Sequence, residues 1–67
     1  MNIGDKVRCK DGTPLVCGSG RYPYAILRQV HPLVLESEEG DMTWRNLVLV
    51  DNRYATIYDM ELYDGSL

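Results

Sequence analysis

Leu33-Val34-Leu35-Glu36-Ser37-Glu38-Glu39-Gly40-Asp41-Met42-Thr43-Trp44-Arg45 is the stretch that decides the fold. A β-prone apolar run leads into a compact polar turn, and an alternating run leads out of it. Gly40 is the turn residue best suited to positive φ. Met42 and Trp44 fall on one face and Thr43 and Arg45 on the other, the period-two pattern of a half-buried strand. Residues 33–45 therefore predict a β-hairpin, with Trp44 buried and Met42 beside it.

Working outward, the same pattern recurs. Ile3, Val7 and Cys9 share one parity, with Asp5 between them, while Lys6 and Arg8 point the other way. Gly4-Asp5 suits a tight bend, and Lys10-Asp11-Gly12-Thr13 reads as a turn, because Asp-Gly tolerates positive φ. Leu15-Val16-Cys17 is a brief apolar strand. Residues 18–24 read as an exposed loop, broken by Gly18-Ser19-Gly20 and by Pro23, which lacks a ladder donor. Residues 25–30 form the next strand, and His31-Pro32 a corner. Beyond the hairpin come an apolar run at 47–50, a turn at 51–53 and a β-prone run at 54–58. Asp59-Met60-Glu61-Leu62 fits either one helical turn or a continuing strand.

No segment of ten residues has a helical period. Short strands with turns every eight to twelve residues predict a small all-β barrel or sandwich. In 67 residues, one bent sheet uses its inner face better than two stacked sheets would. The expected fold is a small open β-barrel of about five strands over residues 1–63, with a flexible tail at 64–67. The expected interior is Val7, Cys9, Val16, Ile26, Val34, Trp44, Leu47, Leu49 and Ile57.

Two stretches carry a resemblance. Gly4-Asp5-Lys6-Val7 is similar to the Gly-Asp-x-Val opening of many SH3-like barrels, and this resemblance implies that the open β-barrel is a small SH3-like one. Tyr24-Ala25-Ile26 together with residues 30–44 resembles the middle of a group of small, largely uncharacterised bacteriophage and prophage proteins. That resemblance implies a phage accessory protein, a kind that commonly binds and alters a host protein.

Composition narrows the function. Net charge is −3, with five bases and two acids up to His31, and two bases and eight acids from Pro32 on. Nucleic-acid binders need a basic face that displaces counterions, so nucleic acid is disfavoured. An acidic surface suits a protein partner with a basic surface. No apolar run approaches the ~20 residues of a membrane helix, and the amino-terminal residues lack a secretory pattern. Cytoplasmic location is the expectation, in the host cell if the protein is phage-encoded.

Chemical motifs are sparse. Gly18-Ser19-Gly20 lacks the spacing of a phosphate-binding loop. The acids at 36–41 lack a calcium-loop pattern. His31 has no evident nucleophile to serve. Cys9 and Cys17 read as free buried thiols. A hairpin disulfide is geometrically feasible, and zinc on Cys9, Cys17 and His31 finds no paired-ligand motif. No catalytic residue, metal or cofactor is expected. The expected binding residues are Arg21, Tyr22 and Tyr24 as anchor, Glu38, Glu39 and Asp41 as steering charge, and Tyr54 as a further contact. The leading expectation is a non-catalytic module that binds a host protein. The alternatives are a small-ligand or nucleotide sponge using the Arg21-Tyr22-Pro23-Tyr24 loop, and a nucleic-acid-binding barrel.

Overall fold

The structure, a computed structural model, describes residues 1–43 and 54–64. Among the described residues, six strands run in chain order: β1 Lys6–Cys9, β2 Leu15–Cys17, β3 Gly20–Tyr22, β4 Ala25–Gln29, β5 Val34–Glu36 and β6 Met60–Leu62. One 3₁₀ turn, Ile57–Asp59, precedes β6. The fold is all-β, as the sequence predicts. Four strands form a sheet in the order β5-β4-β1-β6, and β2 and β3 form a separate hairpin. All named pairings are antiparallel. The arrangement is consistent with a small barrel-like body, although no closed barrel forms among the described residues.

The turns sit where the chain's glycines and acids favour them. Gly4, Gly12 and Gly40 take positive φ, and Thr13 N–H donates to Asp11 Oδ1 at 2.9 Å, an Asx turn. The predicted hairpin is present through Thr43. Ser37 N–H donates to the Asp41 carbonyl at 2.7 Å, Thr43 N–H donates to the Leu35 carbonyl at 3.0 Å, and Glu36 bridges Met42. Residues 18–24 depart from the expected loop. Gly18-Ser19 is a two-residue hairpin connection, with Gly18 at φ +58°, and Cys17 pairs directly with Gly20. A glycine at the first position of such a loop matches the twist of the flanking strands. Arg21 and Tyr22 are therefore strand residues.

The interior follows one register. Val7 lies opposite Ala25, and Leu27 opposite Leu35. Cross-strand partners share a face, so an inward Val7 turns Ala25, Leu27 and Leu35 inward as well. All four are 0–1% exposed. Val7 and Cys9 are buried as expected. Val16, Ile26, Val34 and Ile57 are corrected: each is only half-buried, and the core is instead built from Leu15, Cys17, Leu27, Leu33, Leu35, Ala55 and Met60. The displaced residues are β-branched, and such side chains also suit a half-covered sheet face. Met42 is corrected too. It is 36% exposed, and Thr43 is the buried member of the pair. Trp44, Leu47 and Leu49, the apolar run at 47–50 and the turn at 51–53 lie outside the described residues. At Arg28, a bulge shifts the β4–β5 register, which bends a strand and increases its twist.

Cys9 and Cys17 are buried, and neither is in a disulfide. Burial first, then the nearby Asp41 charge, pushes the Cys17 thiol up to about 11. The thiolate is the reactive form, so Cys17 resists alkylation at pH 8 while the chain is folded. Intact mass after iodoacetamide treatment should show no label on the native protein and two labels after unfolding. A rapid native label on Cys17 would contradict this packing, and no label after unfolding would indicate a disulfide.

Candidate functional site

The sequence-predicted residues separate into two places. Tyr22 and Tyr24 point their hydroxyls at the acidic turn. Tyr22 donates to Asp41 Oδ2 and, at 3.2 Å, to Glu39 Oε2. Tyr24 bonds to Glu38, whose carboxylate also pairs with Lys6 Nζ at 3.2 Å. The Lys6 ammonium lies 5.3 Å from the Tyr24 ring centroid, and that ring stacks on Tyr63 at 4.3 Å and 11°. The three turn carboxylates therefore have partners inside the molecule, and Tyr22 and Tyr24 are half-buried. Tyr22 and Tyr24 of the expected anchor and the expected steering charge form one latch, which joins the β2–β3 hairpin and the residues just after it to the turn after β5, and Arg21 lies outside it. Gly18 N–H adds a bond to the Met42 carbonyl at 3.1 Å.

These bonds shift the ionisations. Donation to Asp41, first among the causes, pushes Tyr22 up to about 12. Donation to Glu38 does the same for Tyr24. Glu38 is held below its ordinary value, by Tyr24 first and then by Lys6. A raised tyrosine pKa contributes stability that is complete below the unfolded value, near 10. That contribution is lost as pH rises through the folded value of about 12. The depressed Glu38 acts oppositely, stabilising above its ordinary range and losing its contribution as pH falls through the folded value.

Gly20 makes the latch testable. A Cβ at Gly20 would lie 2.7–2.9 Å from the outer atoms of the Tyr22 ring, so Gly20→Ala should swing the phenol off Asp41. Spectrophotometric titration of the parent should show two tyrosines ionising near pH 12. The variant should show one, with Tyr22 returned toward 10. An unchanged titration would mean that the ring does not lie over Gly20.

Beside the latch, Arg21 and Tyr22 line an open groove of about 470 Å³ between the β2–β3 hairpin and one end of the main sheet. Arg8, Pro14, Pro23 and Tyr63 complete most of its wall. Arg8 reaches Glu61 at 3.5 Å and lies 6.0 Å from the Tyr63 ring centroid. Arg21 is exposed and makes no ion pair among the described residues. That Arg21, Tyr22 and Pro23 lie together was legible from their adjacency in the chain. Arg8 and Tyr63 were not, because only strand pairing brings them there.

The exposed tyrosines lie on the segment before β6. Tyr54 is 68% and Tyr58 83% exposed. Tyr58 rides on a 3₁₀ turn fixed by a capping box. Thr56 Oγ1 accepts from Tyr58 N–H at 3.2 Å, and Asp59 Oδ2 accepts from Thr56 N–H at 2.7 Å. A notch of about 240 Å³, lined by Val30, His31, Pro32, Leu33, Ile57 and Tyr58 among others, opens beside it. The His31–Pro32 peptide is cis. Sequence reasoning chose Tyr54 and passed over Tyr58. The Thr56-x-x-Asp59 spacing was the available signal, since it approximates a capping box.

Among the described residues, no group of three or more His, Cys, Asp and Glu side chains is placed to hold a metal, and no helix is long and apolar enough to cross a membrane. No family model matches this chain, and no curated protein and no solved structure is significantly similar to it. The resemblance to SH3-like barrels and to small phage proteins rests on the quoted residues alone.

Proposed function

We propose that this protein is a non-catalytic accessory protein of the phage kind, which acts by binding a host bacterial protein and altering its behaviour. The observation that carries this reading is Tyr58, held outward on a capped turn beside an apolar notch, with Tyr54 four residues away. A tyrosine offers a rigid apolar body and a polar tip, so it buries much area for little lost entropy. The capping box shapes this surface before any partner arrives, which lowers the cost of association. Tyr22 and Tyr24 are less suited to this role, because their hydroxyls already serve the acidic turn. The acidic excess beyond Pro32 favours a basic surface on the partner and disfavours nucleic acid.

The test compares the parent with a Tyr54→Ala/Tyr58→Ala variant as baits in a bacterial lysate. Melting should hardly change, since exposed positions seldom alter stability by more than about 0.5 kcal/mol. Capture of any protein specific to the parent should fall at least tenfold, as expected when two hot-spot tyrosines are lost (about 1.4 kcal/mol per tenfold). Equal capture by both baits would sink this surface as the contact.

A further inference from the structure

We propose that the groove between Arg8, Arg21, Tyr22 and Tyr63 is a binding site for a nucleoside monophosphate, separate from the tyrosine surface above. The groove's volume, about 470 Å³, lies within the roughly 300–1,000 Å³ of small-molecule sites. Its walls combine two kinds of chemistry. Two guanidiniums, Arg21 and Arg8, the second already paired with Glu61 at 3.5 Å, stand at a groove otherwise lined largely by tyrosine and proline. A guanidinium fork matches phosphate oxygens in a bidentate way. Tyrosine faces accept a flat heterocycle, and the stacking tolerates any base.

Arg21 is the decisive residue. In a chain of net charge −3, with Glu39 and Asp41 bonded to the neighbouring Tyr22 hydroxyl, it makes no ion pair among the described residues. Its charge is available for an incoming anion. Both rings are already positioned. Tyr22 is fixed at its hydroxyl by the acidic turn, and Tyr63 is fixed by stacking on Tyr24. Binding therefore orders little that is not ordered beforehand. The surrounding carboxylates oppose a chain of phosphates, so a free mononucleotide fits better than a nucleic-acid strand.

The test is a titration of isotopically labelled protein with adenosine 5′-monophosphate, followed by amide NMR. Saturable shifts should appear at Arg8, Arg21, Tyr22 and Tyr63. Adenosine alone and inorganic phosphate alone should each bind at least tenfold more weakly, and Arg21→Gln should weaken the monophosphate at least tenfold. Tyr58→Ala should leave it unchanged, so failure here is distinct from failure of the protein-binding surface. A single-stranded oligoadenylate of eight nucleotides should bind no tighter than the monophosphate. Four results would each overturn the proposal: no saturable shift at millimolar monophosphate, equal affinity for adenosine, indifference to Arg21→Gln, or tighter binding of the oligonucleotide.

Discussion

Leu27→Ala should leave the chain largely unfolded at room temperature, whereas Ile26→Ala should leave it folded. Leu27 is 1% exposed and lies opposite Leu35, which is fully buried. It sits on β4, between β1 and β5 in the main sheet, so no edge can move in to close the gap. Leu→Ala in such a site costs about 2–5 kcal/mol, from lost transfer energy and the cavity left behind. A core of this size rarely supplies more than about 3–5 kcal/mol. Ile26 lies opposite Lys6 and Glu36 on the other face, where it is half-buried. Its truncation removes partly hydrated surface and leaves no closed cavity. Urea unfolding followed by circular dichroism measures both variants. If Ile26→Ala proved as damaging as Leu27→Ala, the register running from Val7 through Ala25 to Leu35 would be wrong.

The difference between those neighbours marks how far the sequence could be read. Turn chemistry is local, so Asp11-Gly12 and the turn at Gly40 were legible, and with them the hairpin that begins at residue 33. The parity of β1 was also legible, because Lys6 and Arg8 alternate with Val7 and Cys9. Leu15-Val16-Cys17, Ala25-Ile26-Leu27 and Leu33-Val34-Leu35 are apolar at every position. In such runs periodicity is silent, and only pairing to a strand of known parity decides which side faces inward. Choosing the β-branched residue in each run gave the wrong face three times. The candidate site divides in the same way. Arg21-Tyr22-Pro23 was visible as a cluster of adjacent residues. The bonds from Tyr22 to Glu39 and Asp41 span 17 and 19 residues, and nothing in the local pattern of either segment announces the other. Arg8 and Tyr63 are closer to recoverable, since the pairing of β1 with β6 follows once Tyr63 is seen to extend a strand.

Thr43→Val should destabilise the protein by about 1–3 kcal/mol, although the two side chains have nearly the same shape. Thr43 is 8% exposed, and its Oγ1 accepts the buried Leu35 N–H at 3.0 Å. Its own N–H donates to the Leu35 carbonyl at 3.0 Å. The side chain thus completes a ladder that the backbone alone leaves short on this side of β5. Valine fills the space and offers no acceptor. The Leu35 amide would then be buried without a partner, and the cost is its desolvation rather than any loss of packing. Thr43→Ser separates the two effects, because it keeps the oxygen and gives up a methyl. Amide hydrogen exchange distinguishes them directly. In Thr43→Val the Leu35 amide should lose protection beyond what the change in global stability accounts for. In Thr43→Ser it should track global stability alone. If the Leu35 amide stayed as protected in the valine variant as in the parent, this hydroxyl would not be its acceptor, and the hairpin would close through another bond.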